Sequence, residues 1–135
     1  MPVTLSVPVV GYGTRQFPAF WLRDSGYELD WSVDSAAEVA HIMAARDDLG
    51  SASGLIVANP IPAEQQWDPA EHDRILEEAL AAAEAQNVRG KAVTPFLLSH
   101  IVKASEGRSL EVNLNLARNN VRVAGSIATE WSRLA

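Results

Sequence analysis

Cysteine is absent from the 135 residues of this chain, so neither a disulfide framework nor thiolate chemistry is open to it. That absence fits a reducing, cytoplasmic setting. Lysine is nearly absent as well: only Lys91 and Lys103 occur, and nine arginines are scattered without forming a basic cluster. With a net charge of −6, no run of cations is available to neutralise a phosphate backbone. Broad nucleic-acid binding is therefore disfavoured, while a single small phosphate ligand is not excluded. No apolar run approaches the roughly 18 residues of a membrane span, and "MPVTLSVPVV" lacks the basic region and long apolar core of a secretory signal. What is present is ordinary for a folded protein. Apolar residues make up 47% and charged residues 21%, at a length that predicts one domain over residues 1–135.

Two short apolar segments predict buried strands, about Val7 to Val10 in "VTLSVPVVGYG" and Leu55 to Ala58 in "GLIVANPIP". "FPAFWLRD" predicts a further extended piece, which Pro18 keeps from being a regular central strand. Four helices are expected. Ser35 and Glu38 have capping-box spacing, with Val39, Ile42 and Met43 following at helical intervals up to about Gly50. Asp68 caps a second helix, with Pro69 at its first position and Glu71 in its first turn, running to about Gln86. Thr94 and Pro95 open a third, ending near Gly107, and Ser109 caps the last. Strand–helix alternation with non-alternating apolar strands predicts an α/β fold with a parallel sheet. Two strands are few for four amphipathic helices, so the chain reads as part of a larger α/β architecture.

The last helix holds four asparagines in "EVNLNLARNN", residues 111–120, although asparagine is a mediocre helix former. On a wheel of about 100° per residue, Asn113 falls near the middle of the apolar residues and Asn120 falls almost above it. Asn115 and Asn119 point toward the polar side. A buried amide without partners costs about 1–3 kcal/mol, so Asn113 and Asn120 each require a partner. Either the backbone of a neighbouring loop such as "NPIP" or a ligand satisfies that need, and the wheel does not choose between them.

Other chemistry is sparse. "GYG" after the first strand lacks a third glycine and a promptly capped helix, so a tight turn explains it better than a phosphate loop. His41, His72 and His100 lie on three different helices without metal-ligand spacing. Lys91 is expected in an exposed loop rather than as a nucleophile. No Ser/His/Asp set emerges. The residues alone thus yield no catalytic residues and no metal ligands.

Several segments together carry a specific resemblance: "VPVVGYGT", "FPAF", "GLIVANPIP", "RGKAVTPFLL" and "RSLEVNLNLARNN", in this order and spacing. From about Val7 onward the chain resembles the C-terminal half of the pseudouridine-5'-phosphate glycosidases. The resemblance implies a partial α/β/α layered fold, a homotrimer, and manganese as cofactor. It also implies reversible cleavage of the C–C glycosidic bond of pseudouridine 5'-phosphate into uracil and ribose 5-phosphate. In that family a lysine opens the ribose as a Schiff base and a glutamate assists as acid. The lysine, the acid, the phosphate-binding residues and the metal ligand all precede the segment matching Val7, and neither Lys91 nor Lys103 matches the nucleophile.

What carries over is Asn113, the first asparagine of the family's N-x-x-L-x-x-N-N run and a substrate-pocket residue there, with Asn120 supporting the pocket wall. "MPVTLS" departs from the family and is expected to mark a new initiation site or a frame break. A basic residue expected near Ser32 is missing too. Three expectations follow from the resemblance: an inactive C-terminal portion, one half of a split enzyme completed by an N-terminal partner, or a non-catalytic interaction module. Missing strands would expose sheet edges and apolar helix faces, so self-association or aggregation of the isolated chain is expected.

Overall fold

The computed structural model describes residues 7–134; the "MPVTLS" departure lies outside the described residues. Three strands, β1 (Val9–Tyr12), β2 (Trp31–Val33) and β3 (Ile56–Ala58), form a parallel sheet in the order β2-β1-β3. Four helices follow or connect them: α1 (Ala36–Asp48), α2 (Pro69–Ala85), α3 (Val93–Ala104) and α4 (Arg108–Leu134). Single 3-10 turns at Ala63–Gln65 and Gly90–Ala92 precede α2 and α3. The expected α/β class with short parallel strands and four helices is what is found.

β2 and β3 flank β1, so α1 crosses over the central strand, as parallel pairing requires. Its start is built as its sequence spacing dictates. Ser35 Oγ accepts from the Glu38 amide (3.2 Å) while a Glu38 carboxylate oxygen accepts from the Asp34 amide (2.7 Å). Val39 is fully buried against Val10 and Val33, with Ile42, Met43 and Val57 around them and Ile127 arriving from α4. Register places Val10, Trp31 and Val57 in one row of the sheet, so their side chains share a face. A second core lies between helices: Ile61, Trp67, Ile75, Ala79, Ile101, Val112 and Leu116.

Three expectations are corrected. "FPAFWLRD" contains no strand; the connection from β1 to β2 is a folded loop with a lone antiparallel bridge, Gln16 to Glu28, and a left-handed Phe20 (φ 65°). The second strand is Trp31–Val33, and three residues are too few to leave a period in the sequence. Thr94 does not cap α3, which starts two residues earlier than expected, at Val93 with Ala92 in the cap position, after a 3-10 turn. Pro95 still falls in the first turn, where backbone N–H groups lack intrahelical partners. Ser109 is the second residue of α4 and is buried. The side chain that receives its amide is Ser105 (3.2 Å), so the capping role belongs four residues upstream.

"GYG" proves to be turn chemistry. Gly13 is left-handed (φ 63°), and its amide donates to Val33 O (2.7 Å). A Cβ on Gly11 would lie 2.0 Å from the Thr14 carbonyl oxygen, so that approach needs glycine.

Two outcomes follow from this packing. Ile75→Ala removes a fully buried side chain and should cost about 2–5 kcal/mol in urea unfolding, against under about 0.5 kcal/mol for the exposed Glu77→Ala. Acceptance of the Asp34 amide, helped by Ser35, holds the Glu38 carboxyl below its usual range. A lowered folded value means that its contribution is complete above the ordinary glutamate range and is lost as pH falls through the lowered value. The Asp34 amide resonance should therefore titrate with a midpoint below that of a free glutamate, and Glu38→Gln should abolish the transition.

Candidate functional site

In open α/β sheets, ligands collect outside the carboxyl ends of the strands. Here that edge is marked by Gly13 after β1, Asp34 after β2 and Asn59 after β3. Asn59 begins a loop stiffened by Pro60 and Pro62, and α4 runs alongside it. Asn59 Nδ2 donates to Asn120 Oδ1 (2.9 Å), and Asn119 Nδ2 donates to the Pro60 carbonyl (3.3 Å). On the other side, Arg23 donates to the Ile61 carbonyl (2.7 Å), and its own amide donates to Gln66 Oε1 (3.0 Å). Trp21 Nε1 donates to Ser109 O (3.1 Å), tying the β1–β2 connection to the start of α4. Two consecutive carbonyls of a proline-bounded loop are thus held by side chains from distant parts of the chain.

The asparagines are distributed differently from the wheel reading. Asn119 is the buried one, at 9% exposure; Asn120 is exposed and Asn113 and Asn115 are half-buried. The reason is that α4 is apolar over two adjacent sectors. One sector, Ser109, Val112, Leu116, Asn119 and Val123, is buried. The other, with Leu110, Leu114 and Val121, is 51%, 50% and 73% exposed. A wheel weighs both sectors equally, which places the centre between them, on Asn113 and Asn120. Those two amides instead stand on the seam between the covered and uncovered sectors. The loop-bonding role expected of an inward amide is filled by Asn119.

Asn59, Asn120, Val57, Val123, Ala124 and Ile127 line an open groove of about 300 Å3 between β3 and α4. The amide–amide bond uses one donor of Asn59 and one acceptor position of Asn120. Among the described residues the Asn59 carbonyl oxygen and the Asn120 amino group have no other partner. One acceptor beside one donor suits an amide or imide edge.

Elsewhere the chemistry is structural. His72 packs between Trp21 and Trp67 with ring centroids 5.9 and 5.6 Å away, and Trp67 Nε1 donates to Glu71 (2.6 Å). His41 meets its own helix at Ala37 O (2.7 Å). Lys91 sits exposed in the 3-10 turn before α3, and Lys103 is exposed near the end of α3. Among the described residues no group of three or more His, Asp and Glu side chains converges on one point.

The clamp on the loop has a measurable consequence. Asn119→Ala leaves the Pro60 carbonyl without its donor and should destabilise the chain by about 1–3 kcal/mol in denaturant unfolding. Asn119→Asp keeps the acceptor for Arg122 (2.7 Å) but loses the donor to Pro60. A loss similar to that of the alanine variant would assign the effect to the Pro60 bond.

Comparison with known proteins places this geometry. The model of the family described as indigoidine synthase A like protein matches residues 3–130. A pseudouridine-5'-phosphate glycosidase of Frankia alni is 54% identical over 129 residues, covering 96% of this chain and 36% of that protein. One from Caldanaerobacter subterraneus is 43% identical over 131 residues, covering 97% of this chain and 43% of the relative. The crystal structure of a prealnumycin C-glycosynthase in complex with ribulose 5-phosphate superimposes with a TM-score of 0.85 at 26% identity, over 95% of this chain and 42% of that one. An indigoidine synthase A-like protein of Thermotoga maritima gives 0.73 at 36% identity, over 90% and 40%. The chain therefore spans less than half the length of the relatives it matches. It belongs to the indigoidine synthase A like family, and it corresponds to the C-terminal portion of that family's pseudouridine-5'-phosphate glycosidases.

Proposed function

We propose that this chain is the C-terminal portion of a pseudouridine-5'-phosphate glycosidase and supplies one wall of its substrate pocket, without the groups that break the bond. The observation that carries the reading is the kinship with those glycosidases over almost the whole chain. In the proposed reaction, water adds across the C–C glycosidic bond. Its oxygen ends on C1 of ribose 5-phosphate and a proton ends on C5 of uracil, and the reverse step joins them again. The nucleophilic lysine, the acid, the phosphate contacts and the manganese ligands belong, on this reading, to the part of the relatives that this chain does not match.

The role left for the present residues is recognition. Asn113 is proposed to contact substrate and Asn120 to hold the wall beside it. Seven residues apart, they stand about 10.5 Å apart along one side of α4. The open donor and acceptor of the Asn59–Asn120 pair support this reading, because the imide edge of uracil offers the complementary pair. The family resemblance adds the trimer and the cytoplasmic location to the proposal. The likeness to a C-glycosynthase favours the same bond in the synthetic direction, which a reversible cleavage already includes.

The test is uracil release from pseudouridine 5'-phosphate with manganese present. The chain alone should release none, and the chain combined with the first three-fifths of the Frankia alni relative should release it. In that combination Asn113→Leu should lower turnover about 10-fold to 100-fold, the loss of one substrate hydrogen bond of about 1.4–2.7 kcal/mol, with little change in the unfolding midpoint. Unchanged kinetics would remove Asn113 from the pocket.

A further inference from the structure

The 27 residues of α4 make a helix of about 40 Å, longer than anything it packs against here. Its buried sector accounts for only one side. Beside that sector Leu110, Leu114 and Val121 repeat at helical intervals with Ala117, Ala124 and Ala128, and all six are exposed. Isolated exposed leucines need no explanation, but a stripe maintained over five turns does.

A second, independent feature adjoins the stripe. β3 is bonded to β1 on one side and, among the described residues, has no strand on the other. Parallel strands are normally enclosed, because an open parallel edge leaves backbone donors and acceptors unpaired. The groove lined by Val57 from this strand, Asn59 just past its end and Ala124 from α4 joins the open edge to the stripe. An unpaired strand next to an uncovered apolar helix face has the form of an α/β layer cut between one strand and the next.

We infer that this surface, the outer edge of β3 with the Leu110–Leu114–Val121 stripe, is the seat of the polypeptide that makes up the unmatched three-fifths of the relatives. It docks by adding a strand beside β3 and laying apolar side chains on α4. The relatives' lengths argue for this occupant: they carry more than half their chain outside the match, and that mass needs a covalent or non-covalent seat. The seam position of Asn113 and Asn120 follows from the same arrangement. Closing the stripe would enclose both amides at the junction of the two portions, where a pocket built from both would lie. This inference rests on the proposed function for the identity of the partner, but the surface is tested by binding alone.

The experiment coexpresses the full chain with the tagged first three-fifths of the Frankia alni glycosidase and measures capture and mass by light scattering. Leu114→Glu/Val121→Glu places two charges on the stripe, at positions whose exposure leaves the free fold unchanged. Leu49→Glu, at a still more exposed site past the end of α1, is the control. The wild type and the Leu49 variant should form the complex, and the stripe variant should lose at least 10-fold in affinity while keeping its circular dichroism. Equal capture of the stripe variant, or no capture of the wild type, overturns the inference. So does a wild-type homo-oligomer that the stripe variant alone dissolves, because the stripe then seats a second copy. Uracil release is read separately. A stripe-dependent complex that releases none keeps the surface and removes the proposed activity, and release that is insensitive to the stripe does the reverse.

Discussion

The loop from Asn59 to Pro62 is the constraint on which the rest of this structure turns. It carries the chain from the end of β3 into the helical layer, and its prolines deny it the backbone donors that would let it fold back on itself. The Pro62 carbonyl is met by the next turn, from the Gln65 and Gln66 amides, but two others are met from distant parts of the chain. Asn119 meets Pro60 and Arg23 meets Ile61, at 3.3 and 2.7 Å. Those two bonds draw α4 and the β1–β2 connection onto one loop. Ile61 itself is fully buried in the interhelical core, so the polar clamp and the apolar anchor act on adjacent residues.

From that anchor the two cores become one molecule. Val10, Val33 and Val39 join the sheet to α1, while Ile75, Ile101, Val112 and Leu116 join α2, α3 and α4. α4 is the element common to both, contributing Val112 and Leu116 to one and Ile127 to the other. A helix of this length can serve both only because its buried sector continues past Asn119, a polar residue within that sector. The amide is tolerated there because it is bonded on both sides, donating to Pro60 and accepting from Arg122.

The same helix explains why chemistry is so thin here. Its amides stand at the carboxyl edge of the sheet, yet among the described residues no titratable group on that edge is arranged as a base or nucleophile. Glu38 is committed to capping α1, and His72 is packed between tryptophans. The role proposed for these residues is therefore recognition, as one wall of a pocket built from two portions of chain.

Much was legible from residue order because it depends on local chemistry. The caps at Ser35 and Asp68, the parallel strand at Ile56–Ala58 and the turn at Gly13 each follow from a few adjacent side chains and their backbone preferences. The three-residue β2 was not legible, since pairing with β1 rather than any period of its own makes it a strand. Nor was the choice among the asparagines. The sequence by itself determined that α4 would carry amides amid apolar residues and that buried amides would need partners. Only the tertiary structure decided that Asn119 is buried and Asn120 is not. Burial depends on which of the two apolar sectors another part of the molecule covers, and neighbours distant in sequence decide that.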